Sequence, residues 1–395
     1  MARLTGMGPL ALVVAVSALA QQPAAPSPGQ SRTPVPALTP RTHEEREQKY
    51  QAEHHVILNV LVADRSGKPV TGLSQNDFTV LDNGQPRKLD SFRTVEGSNG
   101  IAPVRVILML DAVNNSPKDV AADRKGVEQF LARSQGEFAY PTSVGILTGA
   151  GTRVSQPSRD RDVVAGQLRL LTRNVRSFDC EVAGNGGDTV IGQDISAVPD
   201  LDAPHIDPKA ACLNQRFLQS VSALKRFAVE QQDEQGRAIL IWISAGWPLL
   251  LNREFREDTT GLKQNLFDNL VLISNALREG QVTLDTVFSP DLFRRVELRT
   301  DHDNRLFNGV PREDEMTASS LGLQMIAHQS GGLVLIDGKD LAAEIARCVD
   351  DAQSYYALSF DSPPAGKPGE FHSLEVKTSD PSLTVRTDTV YYAEQ

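Results

Sequence analysis

The chain has 395 residues, 40% of them apolar and 23% charged, with a formal net charge of −10. That length and composition suit a soluble globular protein with a sizeable core. An acidic chain without a Lys/Arg cluster argues against nucleic acid or an anionic membrane surface as partner.

The N-terminus reads as a secretory signal peptide over residues 1–20. Arg3 supplies a thin positive region, Pro9 to Ala20 is a short apolar stretch, and Ala18-Leu19-Ala20 is a small-residue cleavage site. The stretch is too short for a comfortable membrane span, a short anchor being the alternative, and no other run is long enough. No membrane insertion is expected after cleavage. Gln21 to Pro40 is rich in Pro, Ala, Ser and Gln, so residues 21–50 are expected to be a flexible linker.

Residues 51–95 have a β texture. Val56, Leu58, Val60 and Val62 alternate with outward positions, and Asp64 to Pro69 is a turn. Asp77-Phe78-Thr79-Val80-Leu81 leads into Asp82-Asn83-Gly84, a strong hairpin signal.

From residue 100 to 353 strands and helices alternate. Strands are predicted at 104–110, 143–148, 238–244, 282–288 and 333–336. Helices are predicted near 118–134, 160–171, 208–232, 260–279, 316–330 and 339–353. This pattern predicts an α/β fold, a parallel sheet with helices on both faces. Residues 174–208 are Gly- and Asp-rich and read as a surface insert.

Residues 354–395 return to β texture, with strands predicted at 355–360, 371–378 and 383–392. Neither end has enough strands to close a core alone. The economical arrangement is a β-sandwich-like module built from 51–95 and 354–395, with the α/β domain inserted between them.

An exported chain meets oxidising conditions, and Cys180, Cys212 and Cys348 then give one bridge and one free thiol. Cys180 and Cys212 flank one long polar segment and are the expected pair. Cys348 continues the helical spacing of Leu341 and Ile345 and is expected to be a buried core thiol.

The most informative stretch is 104–116, Val-Arg-Val-Ile-Leu-Met-Leu-Asp-Ala-Val-Asn-Asn-Ser. It is an apolar run ending in one carboxylate, as a buried strand opening into a crevice does. It resembles the first strand and metal loop of a von Willebrand factor A (vWA) domain. "GKPVTGLSQNDFTVLDNGQPRKLDSF", "GRAILIWISAG", "LQMIAHQSGGLVLI" and "SYYALSFDSP" resemble segments of the bacterial VWFA-related family. The resemblance implies a vWA-like, Rossmann-like sheet and a divalent cation held by three loops.

Carried onto this chain, the first-loop ligand positions are Asp111, Val113 and Asn115. The second-loop Thr falls at Thr189, beside Asp188, and the third-loop Asp falls at Ala245. Val113 and Ala245 offer no side-chain oxygen to a hard cation. The expectation is a vestigial site with no metal and no cofactor. A weak magnesium site rebuilt from Asp111, Asn115, Thr189 and Asp188 is the alternative, and a purely structural role for Asp111 is another.

The other constellations are weaker. Ser244 sits outside a Gly-x-Ser-x-Gly elbow, and Gly149-Ala150-Gly151 lacks the third glycine of a dinucleotide fingerprint. His54-His55 and Asp301-His302-Asp303 read as solvated surface. Trp242 reads as core, and Trp247 reads equally as core or as an exposed anchor.

No catalytic residue is expected. The reading is a secreted or periplasmic module that binds an unidentified protein partner without metal. Its top-face loops would offer Asp111, Asn114, Asn115, Ser116, Asp188, Thr189 and Trp247. The alternatives are a hydrolase with a carboxylate-containing crevice and a purely structural envelope component.

Overall fold

The structure, a computed structural model, describes residues 55–96, 104–133, 136–178, 180, 208–234, 236–247, 260–288, 307–316, 318–336 and 340–394. These residues belong to one compact unit, Gln48–Gln395. The expected signal peptide and linker, together with Asp188, Thr189, His54 and His302, lie outside the described residues.

The chain enters through β1 (His55–Ala63), β2 (Phe78–Asp82), β3 (Gln85–Arg87) and β4 (Ser91–Glu96). Asn83 and Gly84 connect β2 to β3, both at positive φ (49° and 75°). Two central residues of this kind give a hairpin turn whose twist matches its strands, which is why Asn-Gly stands there.

The middle of the chain forms a seven-stranded sheet. Its strands are β5 (Val104–Asp111), β6 (Glu137–Thr148), β7 (Gly151–Val154), β8 (Ser158–Asp160), β9 (Arg237–Ser244), β10 (Val282–Phe288) and β11 (Val334–Leu335). The order along the sheet is β7-β6-β5-β9-β10-β11, with β8 also on β6. Counting these six in chain order gives 3-2-1-4-5-6, the doubly wound order. Five strands run parallel, but β7 and β8 run antiparallel to β6, so the sheet is mixed rather than the all-parallel one expected.

Strand β6 starts six residues before its predicted start. Pro141 hid this extension, since proline cannot donate to a ladder. It is tolerated because pairing with β5 begins only at Thr142.

Alternation along the strands splits the core in two. Val106, Leu108 and Leu110 face the cluster that includes α1 (Pro117–Arg133), α2 (Arg161–Leu171) and, near the C-terminus, Ala342, Ile345 and Cys348. Ile107 and Met109 face the cluster that includes α3 (Pro208–Gln231), α4 (Thr260–Glu279) and α5 (Leu323–Gln329). Helices therefore cover both faces. Fully burying a side chain such as Leu108 or Ile241 stabilises by roughly 1.5–3 kcal/mol.

The single helix predicted at 316–330 is broken. A 3-10 turn at Ala318–Leu321 precedes α5, and Gly322 between them is extended. After α5, Gly331 takes φ +74°, and at Gly332 a Cβ would meet the Leu284 carbonyl oxygen. Gly331-Gly332 thus lets the chain turn tightly into β11 against β10.

After α6 (Leu341–Asp350) come β12 (Ser354–Asp361), β13 (Glu370–Thr378), β14 (Thr384–Arg386) and β15 (Val390–Ala393). The strand predicted at 383–392 is split in two. β14 pairs with β1, and β15 pairs with β13. Two four-stranded sheets result, β14-β1-β12-β4 and β15-β13-β2-β3, each drawing on both ends of the chain. Val56, Leu58, Phe78, Val80, Leu358 and Val376, from both sheets, share one apolar cluster. The opposite faces pack on the α/β layers, Tyr355 and Ala357 on one cluster and Val390 and Tyr392 on the other.

Candidate functional site

The chain order reverses between β5 and β9, so the C-terminal ends of these neighbouring strands form the crevice where open α/β sheets bind ligands. Asp111 ends β5 and Ser244 ends β9, and both are 0% exposed. Asp111 Oδ1 accepts from the Val113 N–H (3.0 Å) and the Asn114 N–H (2.9 Å). Its Oδ2 accepts from Asn114 Nδ2 (2.7 Å), Ser244 Oγ (2.8 Å) and Trp242 Nε1 (3.2 Å). Five donors on one buried carboxylate satisfy it and fix the loop.

The following residues continue the lock. Asn114 Nδ2 also donates to Ser220 Oγ on α3 (2.8 Å). Asn115 is buried, donates to Asp123 Oδ2 on α1 (2.6 Å), and accepts from the Ala245 N–H. Asn115 therefore ties the loop after β5 to the loop after β9. Ser116 opens α1 with a reciprocal cap. The Asp119 N–H donates to Ser116 Oγ, and Ser116 Oγ and N–H donate to Asp119 Oδ2.

The cation that the vWA resemblance implies does not fit these residues. The Asp111 oxygens are committed to N–H and O–H donors, and Trp242 Nε1, which only donates, points at the carboxylate. Val113 belongs to the core cluster, and Asn115 Oδ1 holds the Ala245 N–H. Asp188 and Thr189 lie outside the described residues.

Trp247 is not an exposed anchor. It is 5% exposed and meets Trp242 edge-on, with ring centroids 5.7 Å apart. Of the first-loop positions singled out from the sequence, Ser116 is exposed, Asn114 is half-buried, and Asp111 and Asn115 are inaccessible. Ser220, Asp123, Trp242 and Ser244 were not recognised as parts of this network. One signal for Asp123 was present: it is a carboxylate inside the apolar stripe Val120, Val127, Phe130 of α1.

Beside the locked loop, the surface opens into a groove of about 440 Å³ between the first turns of α1 and the segment after α2. Arg124, Arg173 and Arg176 line it together with Ala121, Thr172 and Val175. Thr172 is anchored by its hydroxyl on the Leu168 carbonyl (2.7 Å). Arg173 and Arg176 are exposed, and Arg124 lies 3.5 Å from Glu128. No single stretch of sequence signals this groove, because its arginines come from segments about fifty positions apart.

Two further polar groups are structural. At the N-terminal end of β9, buried Arg237 donates to the Asp351 carbonyl (2.7 Å), and Arg386 of β14 pairs with the Asp351 carboxylate (2.6 Å). Burial pushes the neighbouring Asp285 carboxyl up to about 7, with the Asp351 charge adding to it. Within the β15-β13-β2-β3 sheet, Asp82 pairs with His372 (2.6 Å) and Arg87 (2.8 Å) and accepts from the Tyr391 hydroxyl (3.1 Å). At the surface, His55 Nδ1 meets Asp361 at 3.1 Å across the β1–β12 pair, with Asp90 nearby.

Cys180 and Cys212 are disulfide-bonded, and Cys348 is a buried free thiol. No described helix is long and apolar enough to cross a membrane.

No protein-family model matches the chain, and no curated protein does. Among solved structures it is similar to the human COPII-coat protein Sec24c, at 11% identity and TM-score 0.32, over 74% of this chain and 44% of that one. It is similar to the manganese-loaded TRAP protein of Plasmodium vivax, at 10% identity and TM-score 0.32, over 75% of this chain and 96% of that one. It is also similar to three N-terminal domains of the type V pili tip protein Mfa5 from Porphyromonas gingivalis, at 9% identity and TM-score 0.28, over 85% and 68%. The chain spans less than half of the Sec24c chain.

Proposed function

We propose that this chain is a vWA-like protein-binding module that works without a metal ion, exported to the periplasm or beyond. Its α/β domain, residues 100–353, sits within a β-sandwich-like module of 51–95 and 354–395. The strand order 3-2-1-4-5-6 and the shared apolar cluster of the end sheets support this arrangement. The disulfide supports an oxidising compartment.

The observation that carries the binding reading is the pairing of a hydrogen-bonded, rigid crevice loop with an open groove at its rim. Rigid scaffolds that present a shaped surface suit recognition. The hydrolase reading is disfavoured because Ser244 and Asp111, at the crevice floor, are inaccessible to any substrate, and the surface Ser116–Asp119 pair is taken up in capping α1.

A photo-crosslinking residue placed at exposed Ala121 in the groove wall tests this, with exposed Lys377 on β13 as control. A discrete protein adduct from position 121 in the native host, retained in EDTA and absent from position 377, is expected. No adduct at 121, or one abolished by EDTA, would overturn the reading.

A further inference from the structure

We infer that the groove beside α1 takes an acidic peptide segment of the partner, with Asp or Glu carboxylates paired to Arg173 and Arg176. This inference rests on the reading of that face as the binding surface and names the chemistry it recognises. Three guanidinium-bearing residues line one groove of a chain whose net charge is −10, a local reversal of sign. No described carboxylate lies within 4.0 Å of Arg173 or Arg176, and Arg124 has only Glu128 at 3.5 Å.

The guanidinium fork matches a carboxylate in a bidentate fashion. The remaining lining includes Ala121 and Val175, suited to a peptide's aliphatic stems. A phosphate-bearing ligand fits less well, because helix N-termini bind phosphate through free backbone N–H groups. At the start of α1, Pro117 has no N–H and the Asp119 N–H is held by Ser116 Oγ, so the Lys118 N–H alone is left where a phosphate cradle needs several donors. Recognition here is left to side chains.

The test is fluorescence anisotropy on the full chain, with a labelled Asp/Glu-rich peptide and its Asn/Gln counterpart as probes. Tighter binding of the acidic peptide by about tenfold or more is expected, weakening as salt rises. The exposed pair Arg173→Glu, Arg176→Glu should abolish the preference while Tm is unchanged. Arg173→Lys, Arg176→Lys should keep the preference but weaken binding several-fold, because lysine lacks the planar fork.

Equal affinity for the two peptides, or an unchanged preference in the charge-reversed variant, would overturn the inference. So would displacement of the acidic peptide by inorganic phosphate at concentrations where acetate has no effect. Persistence of the position-121 adduct in the charge-reversed chain would leave the binding face standing and remove only its proposed chemistry.

Discussion

Trp242 Nε1 and Asp111 Oδ2 lie 3.2 Å apart in the fully buried floor of the crevice, the donor of one neighbouring strand aimed at the acceptor that ends the other. An indole can only donate, so the contact requires an acceptor at Asp111. Asp111→Asn replaces one acceptor oxygen with a donor, facing either the Val113 and Asn114 N–H groups or the Trp242, Ser244 and Asn114 side chains. Destabilisation by about 1–3 kcal/mol for each donor left unpaired is expected in urea titration of Asp111→Asn, and about 1–3 kcal/mol for Ser244→Ala. Losses near zero for both would show that the network does not hold the loop.

Reduction or Cys180→Ser, Cys212→Ser should lower stability by roughly 3–4 kcal/mol in the chain-entropy account, since the bridged residues are 32 positions apart. Burial keeps the Cys348 thiol protonated, with the Asp285 and Asp351 charges adding to the effect. Alkylation of Cys348 should therefore appear only with global unfolding. Labelling of Cys348 in the folded chain would contradict this.

Two buried carboxyls act oppositely on stability against pH. Asp285 is raised to about 7, first by burial. Its contribution is fully present below the unfolded value of 3.8 and is lost as pH rises through about 7. Burial also pushes Asp82 up, but the hydrogen bond and charge of His372, with Arg87 and Tyr391, outweigh it and hold Asp82 below the usual carboxylate range. Its contribution is present above 3.8 and is lost as pH falls through the depressed folded value. Asp285→Asn should flatten but not abolish the decline of urea midpoints toward neutral pH, since desolvation also raises Asp388, to about 6, and should keep the acid limb. A variant whose profile matches the wild type would remove Asp285 from the account.

Strand β12 lies between β1 and β4 and pairs with both, while β13 pairs with β2. Deleting residues 355–395 should therefore unfold or aggregate the N-terminal strands. Residues 55–96 remaining protected from proteolysis and hydrogen exchange would show that the two ends do not share a core.

The strands that were legible in the sequence are those buried on both faces. Val104–Asp111 and Arg237–Ser244 carry apolar runs with little else to become, and Val282–Phe288 is rich in β-branched Val and Thr. Asp111 stood out for the same reason, as the lone carboxylate ending such a run. Burial and partner were not legible. Trp247 lies just past a strand, where side chains turn outward or inward, and only the ring of Trp242 decided it. His372 was indistinguishable from a surface histidine until β13 placed it against Asp82, 290 positions earlier. The groove arginines are ordinary surface residues singly, and become a feature only when α1 and the end of α2 are brought together.

Hydrogen bonds, rather than a cation, set the crevice around Asp111. Calorimetric titration of the full chain with magnesium and with manganese at neutral pH tests it most directly. No saturable heat and no rise in Tm are predicted. Saturable binding that disappears in a folded Asp111→Asn variant would contradict the account.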